Sequence, residues 1–456
     1  MEKRRWFSWL FFAVGLLALL VGCSSGGDSG GFAIAFPSDS WVYKGVSMNE
    51  NDPTLRHYVW EMPREPFGPW DKIQLHRYVK ETSNPDCIPG RAPANSNKVL
   101  FFNPGTWDRA IHATQDMKSQ QWYFAANGYD FYAIDFRTAF LPYNDYDQFA
   151  ALGLTDELAG TTDWTYAVFR EDIKACVEKA KDISGASRLF MSGFSRGTFH
   201  VTAYSAKYPG DLKGMILLDG SGLWRNADNT DTQKSEAQLN AAVAMFKAGT
   251  LPTLPELLSD GGGNERTRFG AMYPHSRNTV TRAPENTVNN LETDVNLIKA
   301  ATGATEDIPG APESLSDVLA YAYYWTWGRG KLTNVYDGFS TIDVLLKYQS
   351  QLSRYWPNIQ NLEASFLTGY ANCPFLDYHD NADVTVPVLF IGGELGCPGG
   401  VCNMSPPFSS YSAYMTATED RTIRYLADYG HVDILIGDDS VNTVKSVELD
   451  WMNDRL

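Results

Sequence analysis

Short, almost wholly apolar runs recur in two parts of the chain, and stretches with helical periodicity separate them. The runs cover residues 98–102, 131–136, 188–192, 214–218 and 386–391, and a less apolar strand-like segment follows at 422–426. The stretches that suit helices cover residues 108–127, 163–184, 196–208 and 433–452. Runs of this length that stay apolar throughout are typical of strands buried on both faces. Their alternation with helices predicts an α/β fold, with a mostly parallel central sheet flanked by helices.

The alternation is interrupted by a long segment of different character. Residues 226–380 are rich in turn-forming and aromatic residues, and positions 321–327 are Tyr-Ala-Tyr-Tyr-Trp-Thr-Trp. An insertion after a strand at the carboxyl edge of a parallel sheet lies over that edge, where loops carry function. We therefore predict a large helical cap over residues 226–380. The cap divides the core into a first part, residues 32–225, and a second part, residues 381–456.

The N-terminus has the layout of an export signal. Three basic residues at positions 3–5 precede an apolar run over residues 6–21, which is too short to span a bilayer comfortably. The run ends in Leu-Val-Gly-Cys, which resembles the lipobox of bacterial lipoproteins and implies a diacylglycerol on Cys23. Residues 1–22 are then a signal peptide, and residues 23–31 a lipidated, flexible tether. This resemblance predicts attachment to a membrane of the bacterial cell envelope, the outer membrane in a Gram-negative cell.

Composition and charge narrow the possible partners. Hydrophobic residues make up 44% of the 456 residues and aromatic residues 13%, so the chain has enough apolar surface for a folded core. The net charge is −16, and an acidic surface of that size repels a phosphate backbone. We therefore expect no nucleic-acid partner.

Five cysteines remain in the exported chain. Cys397 and Cys402 enclose Pro-Gly-Gly-Val, whose turn residues bring the two ends together, so we expect a disulfide between them. Cys176 lies on the apolar face of a helical stretch and is expected to be buried. Cys87 and Cys373 are then left to pair by elimination. No cysteine spacing resembles a zinc motif, and the sequence indicates neither a metal nor a cofactor.

Residues 193–197 carry the strongest chemical signal. The segment Gly193-Phe194-Ser195-Arg196-Gly197 follows an apolar strand and opens a helix, which is the G-x-S-x-G pattern in the setting that it requires. The glycines permit a sharp turn that holds the serine hydroxyl outward, at the positive end of the helix. Ser195 is therefore the predicted nucleophile.

From about residue 71 to the C-terminus, the cap excepted, the chain resembles the α/β-hydrolase superfamily, in particular its lipase- and esterase-like members. Residues 430–433, Gly-His-Val-Asp, are similar to the Gly-His-x-Asp segment that the family places between its last strand and last helix. The resemblance implies that His431 is the base that takes the serine proton. His200, on the helix after Ser195, is expected to face away from it. Asp433 is expected to cap or charge the first turn of the final helix.

The carboxylate that orients the base is where the sequence departs from the family pattern. The strand that ends near residue 391 is followed by Gly-Gly-Glu-Leu-Gly, and Gly396 stands where relatives have the catalytic Asp. Glu394 could reach back to His431 instead. Asp219, at the end of the preceding strand, occupies an alternative acid position of some family members. Either carboxylate could orient the imidazole and stabilise its cation; we lean slightly to Asp219 and leave both open.

Two backbone N–H groups are expected to stabilise the oxyanion. One belongs to Arg196, the residue after the nucleophile. The other belongs to Thr106, because Asn-Pro-Gly-Thr at positions 103–106 resembles the family's His-Gly-x-x segment. Proline at position 104 lacks only its own N–H, so the donor at Thr106 is retained.

The resemblance implies a serine hydrolase that cleaves carboxylic esters through an acyl-enzyme. The aromatic residues of the cap suggest an apolar acyl or aryl group in a small-molecule or lipid ester. A peptidase or amidase on the same fold is the first alternative. The second is a catalytically inactive surface lipoprotein that binds a partner, which the glycine at position 396 favours.

Overall fold

The computed structural model describes the following parts of the chain: residues 41–66, 68–82, 87, 89, 96–106, 108–110, 119–141, 161–220, 241, 244–245, 272–274, 353, 355–357, 359–360, 384–393, 418–427 and 429–456. Several predicted features lie outside these residues. They are the signal peptide, the lipidated tether with Cys23, Glu394, the cysteines at 373, 397 and 402, and most of the cap.

The core is built on one twisted sheet. Its strands are β1 (Val42–Met48), β2 (Leu55–Pro63), β3 (Lys72–Lys80), β4 (Val99–Asn103), β5 (Asp130–Asp135), β6 (Leu189–Phe194), β7 (Leu212–Leu218), β10 (Val388–Gly393) and β11 (Arg421–Leu426). The remaining pair, β8 (Met272–Pro274) and β9 (Tyr355–Pro357), is antiparallel and separate from the sheet. Within the described residues the sheet order is β1-β2-β3-β5-β4-β6-β7-β10-β11.

Six neighbouring strands of the sheet, from β5 to β11, are parallel. Strands β4, β5, β6 and β10 are buried at every residue, because apolar clusters cover both faces of the sheet. The apolar runs of the sequence therefore form the parallel strands, and the predicted α/β fold with a mostly parallel sheet is confirmed. In such a sheet the carboxyl ends of the strands meet at one edge, where ligands bind.

Three antiparallel strands precede the predicted ones. Strand β1 pairs with β2, β2 with β3, and β3 with β5. Along β2 the residues are alternately buried and half-buried from Arg56 onward, which is the period of a strand with one face on the core. These strands extend the sheet on the side away from the predicted nucleophile.

The helices within the described residues are α1 (Gln120–Ala126), α2 (Tyr166–Ser184), α3 (Arg196–Lys207), α4 (Asp433–Ile436) and α5 (Ser446–Asn453). Helix α2 begins where the hydroxyl of Thr165 accepts a hydrogen bond from Val168 N–H, and ends at Gly185, whose φ is 70°. Cys176 is fully buried in it, and burial raises the pKa of its thiol. The predicted packing role of Cys176 is therefore confirmed. No helix among the described residues is long and apolar enough to span a bilayer.

The predicted single helix over residues 433–452 is interrupted. Helix α4 ends at Ile436 because the backbone of Gly437 is extended, with ψ of 144°. A π-helical turn, Val441–Lys445, then leads into α5. The ammonium of Lys445 donates to the carbonyl of Leu435 at 2.8 Å and to Ser440 Oγ at 2.6 Å, and these bonds join the two helical segments.

The segment predicted as a cap contributes to the core at one described point. The Trp356 side chain is fully buried and packs against Phe136 and Phe169. Its indole N–H donates to Gln360 Oε1 at 3.0 Å, and the Gln360 amide donates to the carbonyl of Trp164 at 3.0 Å. Trp356 and Gln360 therefore belong to the core, and the cap stays a prediction for the rest of its length.

A buried carboxyl group lies between α1 and α5. Glu448 has no solvent exposure, and its Oε1 accepts a hydrogen bond from the Gln120 amide at 2.9 Å. Burial raises the pKa of Glu448 from its usual 4.5 to about 8, although the charge of Lys445 and the bond from Gln120 oppose the shift. At neutral pH the folded protein therefore holds a proton that the unfolded chain has released.

We expect the Glu448→Gln variant to be more stable than the wild type at alkaline pH. A folded-state pKa of about 8 means that wild-type stability declines from about pH 4.5 to pH 8 and then levels off. Glutamine keeps the acceptor for Gln120 and carries no titratable proton. Thermal unfolding at pH 5 and pH 8 tests this, and a melting-temperature difference that does not grow between the two would contradict it.

Candidate active site

Ser195 lies at a strained turn between β6 and α3. Its φ and ψ are 54° and −121°, a region that a side chain with a Cβ rarely adopts and that commonly marks a functional site. The turn is held by backbone contacts on both sides. Ser195 N–H donates to the carbonyl of Leu218 at 2.9 Å, and the Ser195 carbonyl accepts from the N–H and hydroxyl of Thr198 at 3.0 Å and 2.6 Å.

The two glycines of the elbow are required by close backbone approach. A Cβ on Gly193 would lie 2.3 Å from the carbonyl oxygen of Gly197, and a Cβ on Gly197 would lie 2.1 Å from that of Asn103. Either atom would collide with main chain, which cannot rotate away as a side chain can. The G-x-S-x-G pattern therefore permits the turn that presents Ser195.

Asp219 is joined to His431 by a short hydrogen bond. It follows β7, its φ is 44°, and its backbone N–H donates to the carbonyl of Ile391 at 2.8 Å. The carboxylate Oδ2 lies 2.6 Å from His431 Nδ1, and Oδ1 accepts from Gly393 N–H at 2.9 Å. Both side chains are nearly buried, with 3% of Asp219 and 6% of His431 exposed. The bond fixes the orientation of the imidazole.

The nucleophile and the aspartate–histidine pair share one edge of the sheet. In the parallel pairing of β6 with β7, Phe194 is the partner of Leu218, so the residues that follow them, Ser195 and Asp219, leave the sheet side by side. The ring of Phe194 lies 4.5 Å from the ring of His431. Three of the predicted catalytic side chains are therefore brought together, whereas the fourth, Glu394, lies outside the described residues.

Asp433 supports the loop that carries His431. Its Oδ2 accepts a hydrogen bond from Gly430 N–H at 2.9 Å, and Asp433 is the first residue of α4. The prediction that it charges the first turn of this helix is confirmed. Its additional contact with Gly430 restrains the backbone just before the histidine.

The loop after β4 approaches the nucleophile closely. A Cβ on Gly105 would lie 3.0 Å from the Cβ of Ser195, so the loop passes beside the serine without a side chain between them. Thr106, which carries one of the predicted oxyanion donors, is the next residue. The other predicted donor, Arg196 N–H, opens α3.

A buried carboxylate anchors the far end of this loop. Asp135 Oδ1 accepts from Ala110 N–H at 2.7 Å, and Asp135 Oδ2 accepts from Arg109 Nε at 3.1 Å. Burial opposes ionisation of Asp135, but Arg109 and His76 together, through charge and hydrogen bonding, outweigh it and hold the pKa well below the usual value. The ion pair thus stays charged at neutral pH and ties the loop to the end of β5.

The Arg196 side chain connects the elbow to the same loop, a contact that sequence reasoning missed. Its Nε donates to Thr106 Oγ1 at 2.8 Å, and its Nη1 donates to the hydroxyl of Tyr166 at 2.9 Å. The guanidinium also lies 5.8 Å from the ring centre of Trp356. These partners come from three distant segments, so no local pattern in the sequence announces them.

His200 lies in the core behind the elbow. Its ring packs against those of Phe136 and Phe169, in agreement with the expectation that it faces away from Ser195. Burial, and secondarily the charge of Arg196, lower the pKa of His200 to about 3. His200 is therefore neutral at physiological pH. Among the described residues, no group of three or more His, Cys, Asp and Glu side chains is placed to hold a metal ion.

Enzymes that attack their substrate with a serine at such an elbow have a central sheet of this kind and place the active site at this edge of it. The fold and the site together thus define the class of α/β hydrolases. Residues 120–394 match the family described as alpha/beta hydrolase fold, and the chain belongs to that family. The matched segment includes Ser195 and Asp219 and ends before His431.

Two solved structures are similar to this chain over most of its length. A candidate lipase from Sulfolobus solfataricus is 22% identical, with a TM-score of 0.60 over 92% of this chain and 100% of that one. An alpha/beta hydrolase fold protein from Nakamurella multipartita is 12% identical, with a TM-score of 0.42 over 84% and 96%. At 22% identity, the likeness to the first of these structures shows the fold alone. A comparison with curated proteins gives no significant match.

Proposed function

We propose that this protein is a serine hydrolase that cleaves carboxylic esters through an acyl-enzyme at Ser195. The observation that carries the proposal is the 2.6 Å bond between His431 Nδ1 and Asp219 Oδ2, at the edge where Ser195 leaves the sheet. An inactive protein was favoured only by the missing aspartate at position 396. Asp219 supplies a carboxylate to the imidazole from another strand, which supports a working site.

The proposed reaction uses a nucleophile, a base held by a carboxylate, and two backbone donors. Ser195 Oγ attacks the ester carbonyl while His431 Nε2 takes its proton, because Asp219 holds Nδ1 and so directs Nε2 to the serine. The N–H groups of Arg196 and Thr106 stabilise the oxyanion. His431 then gives the proton to the leaving alcohol, and water, activated by the same histidine, releases the acid and restores Ser195.

The substrate class in this proposal is a small-molecule or lipid ester with an apolar acyl or aryl group. It rests on the aromatic composition of residues 226–380, since a pocket that binds an apolar group is lined mainly by apolar and aromatic side chains. The proposed chemistry uses only side chains and backbone groups, without a metal or cofactor.

A fluorophosphonate probe tests the proposed chemistry directly, because it reacts with a serine only when a base and an oxyanion site activate it. We expect stoichiometric labelling of Ser195 in the folded protein, loss of labelling in Ser195→Ala, and turnover of p-nitrophenyl esters. Absence of an adduct on folded wild-type protein would overturn the proposal. Hydrolysis of a fluorogenic aminoacyl amide with no ester turnover would identify a peptidase instead.

We also propose that the mature protein is held at the bacterial envelope by a lipid on Cys23, as its resemblance to a lipobox implies. The Cys23→Ser variant should then keep its signal peptide, since cleavage of such precursors requires the lipidated cysteine. Globomycin should likewise cause precursor to accumulate in cells that express the wild type. Removal of the signal peptide under either condition would contradict lipid attachment and point to an ordinary secretory peptide.

A further inference from the structure

We infer that the Arg196 side chain is a positioning residue that locks the two oxyanion donors of this site together. This inference rests on the function proposed above. The family pattern uses only the backbone N–H of Arg196, and the inference gives its side chain a role as well. The hydrogen bond from Arg196 Nε to Thr106 Oγ1, 2.8 Å long, joins the two residues that carry those donors.

The two donors need such a connection because they belong to separate segments. Thr106 follows β4 and Arg196 opens α3, and they are 90 positions apart in the sequence. An oxyanion is stabilised only when both N–H groups point at it from about 3 Å, and a displacement of about 1 Å can cost 10²-fold in rate. The bond between the Arg196 and Thr106 side chains sets the distance between the two segments beside Ser195.

The guanidinium is itself held in place. Tyr166 is almost fully buried on α2, its ring stacks on Phe199 at 4.1 Å, and its hydroxyl accepts from Arg196 Nη1 at 2.9 Å. The ring centre of Trp356 lies 5.8 Å from the guanidinium carbon of Arg196. Because a planar guanidinium can donate in two directions at once, arginine can bridge Thr106 and Tyr166, whereas the point charge of lysine is suited to one of them.

We call the bonds from Arg196 to Thr106 and Tyr166 the clamp. The clamp complements the anchor at the other end of the loop. Asp135 holds Ala110 and Arg109, so the loop is fixed at residues 109–110 by β5 and at Thr106 by the elbow. Arg196 also brings a positive charge to a residue that carries one of the two proposed donors. Positioning and charge both favour the tetrahedral intermediate over the bound ester.

A double-mutant cycle tests the clamp, because substitution of either side chain leaves both backbone N–H groups in place. Thr106→Val removes the hydroxyl at nearly constant shape, Thr106→Ser retains it, and Arg196→Met removes the guanidinium. We expect Thr106→Val and Arg196→Met each to lower kcat about 10- to 100-fold with KM within about twofold. Binding of a boronic acid that mimics the tetrahedral intermediate should weaken by the same factor. The double variant should be no slower than Arg196→Met, and Thr106→Ser, which keeps the hydroxyl, should recover most of the kcat that Thr106→Val loses.

Three results would overturn the inference. They are losses that multiply in the double variant, a raised KM at unchanged kcat, and wild-type kcat in Thr106→Val. Thr106→Val also decides the question if Arg196→Met fails to fold. An unlabelled wild type in the fluorophosphonate assay would overturn the proposed function and the clamp together, whereas a labelled, active wild type with an additive cycle would overturn the clamp alone.

Discussion

Replacement of Ser195 by alanine is expected to lower kcat for ester hydrolysis by about 10⁵- to 10⁶-fold. The alanine methyl group cannot form the acyl-enzyme, and only the oxyanion donors and substrate binding remain. The melting temperature should change little, because Ser195 is only half-buried and the turn is held by its backbone bonds to Leu218 and Thr198. Steady-state kinetics with a p-nitrophenyl ester and a thermal melt of the same preparation provide both measurements.

His431→Ala is the matched comparison for Ser195→Ala. Members of a triad act as a unit, so removal of the base should cost about as much as removal of the nucleophile, and the double variant should be no slower than either. A His431→Ala protein that retained most of its activity would require another base for Ser195.

Asp219→Asn is expected to lower kcat by up to about 10⁴-fold while the fold remains intact. The two carboxylate oxygens of Asp219 accept from Gly393 N–H and bond to His431 Nδ1. An asparagine has one oxygen and one amide nitrogen for these two positions. If the oxygen stays on Gly393 N–H, the amide presents a donor to Nδ1, which moves the imidazole proton to Nε2 and blocks proton transfer from Ser195. The opposite orientation places an amide donor against Gly393 N–H.

Glu394→Gln is the control for Asp219→Asn, because both substitutions neutralise a carboxylate that the sequence offers to His431. Because Asp219 already bonds to His431 Nδ1, we expect a rate within about twofold of wild type for Glu394→Gln. If Glu394→Gln were the slow variant, Glu394 would be the acid. Two near-wild-type variants would leave a Ser195–His431 dyad to be considered.

Most of the sheet could be predicted from the sequence because its parallel strands, except the edge strand β11, are buried on both faces. The apolar runs at 98–102, 131–136 and 188–192 fall within one or two residues of β4, β5 and β6. The antiparallel strands β1 to β3 were missed because their apolar residues alternate with polar ones, a weaker signal than a continuous run. The final helix was predicted as one element because its break depends on Gly437 and on the contacts of Lys445.

The parts of the site differ in how far local sequence determines them. The elbow at Ser195 is defined by five consecutive residues, so its position could be read from the chain. The partner of His431 could not, since it depends on how the loop after β11 packs against the ends of β7 and β10. The same holds for Arg196 with Thr106 and Tyr166, whose contacts join residues 90 and 30 positions apart.

The position of Asp219 at the end of β7 has a consequence for the segment that follows β10. In the proposed reaction the carboxylate comes from β7, so the segment that follows β10 needs no carboxylate for proton transfer. A glycine at position 396 is therefore compatible with the proposed activity. Nucleophile and carboxylate instead travel together on the unit β6–α3–β7, so a recombination or insertion that replaces the chain between residues 220 and 384 would leave that pair intact.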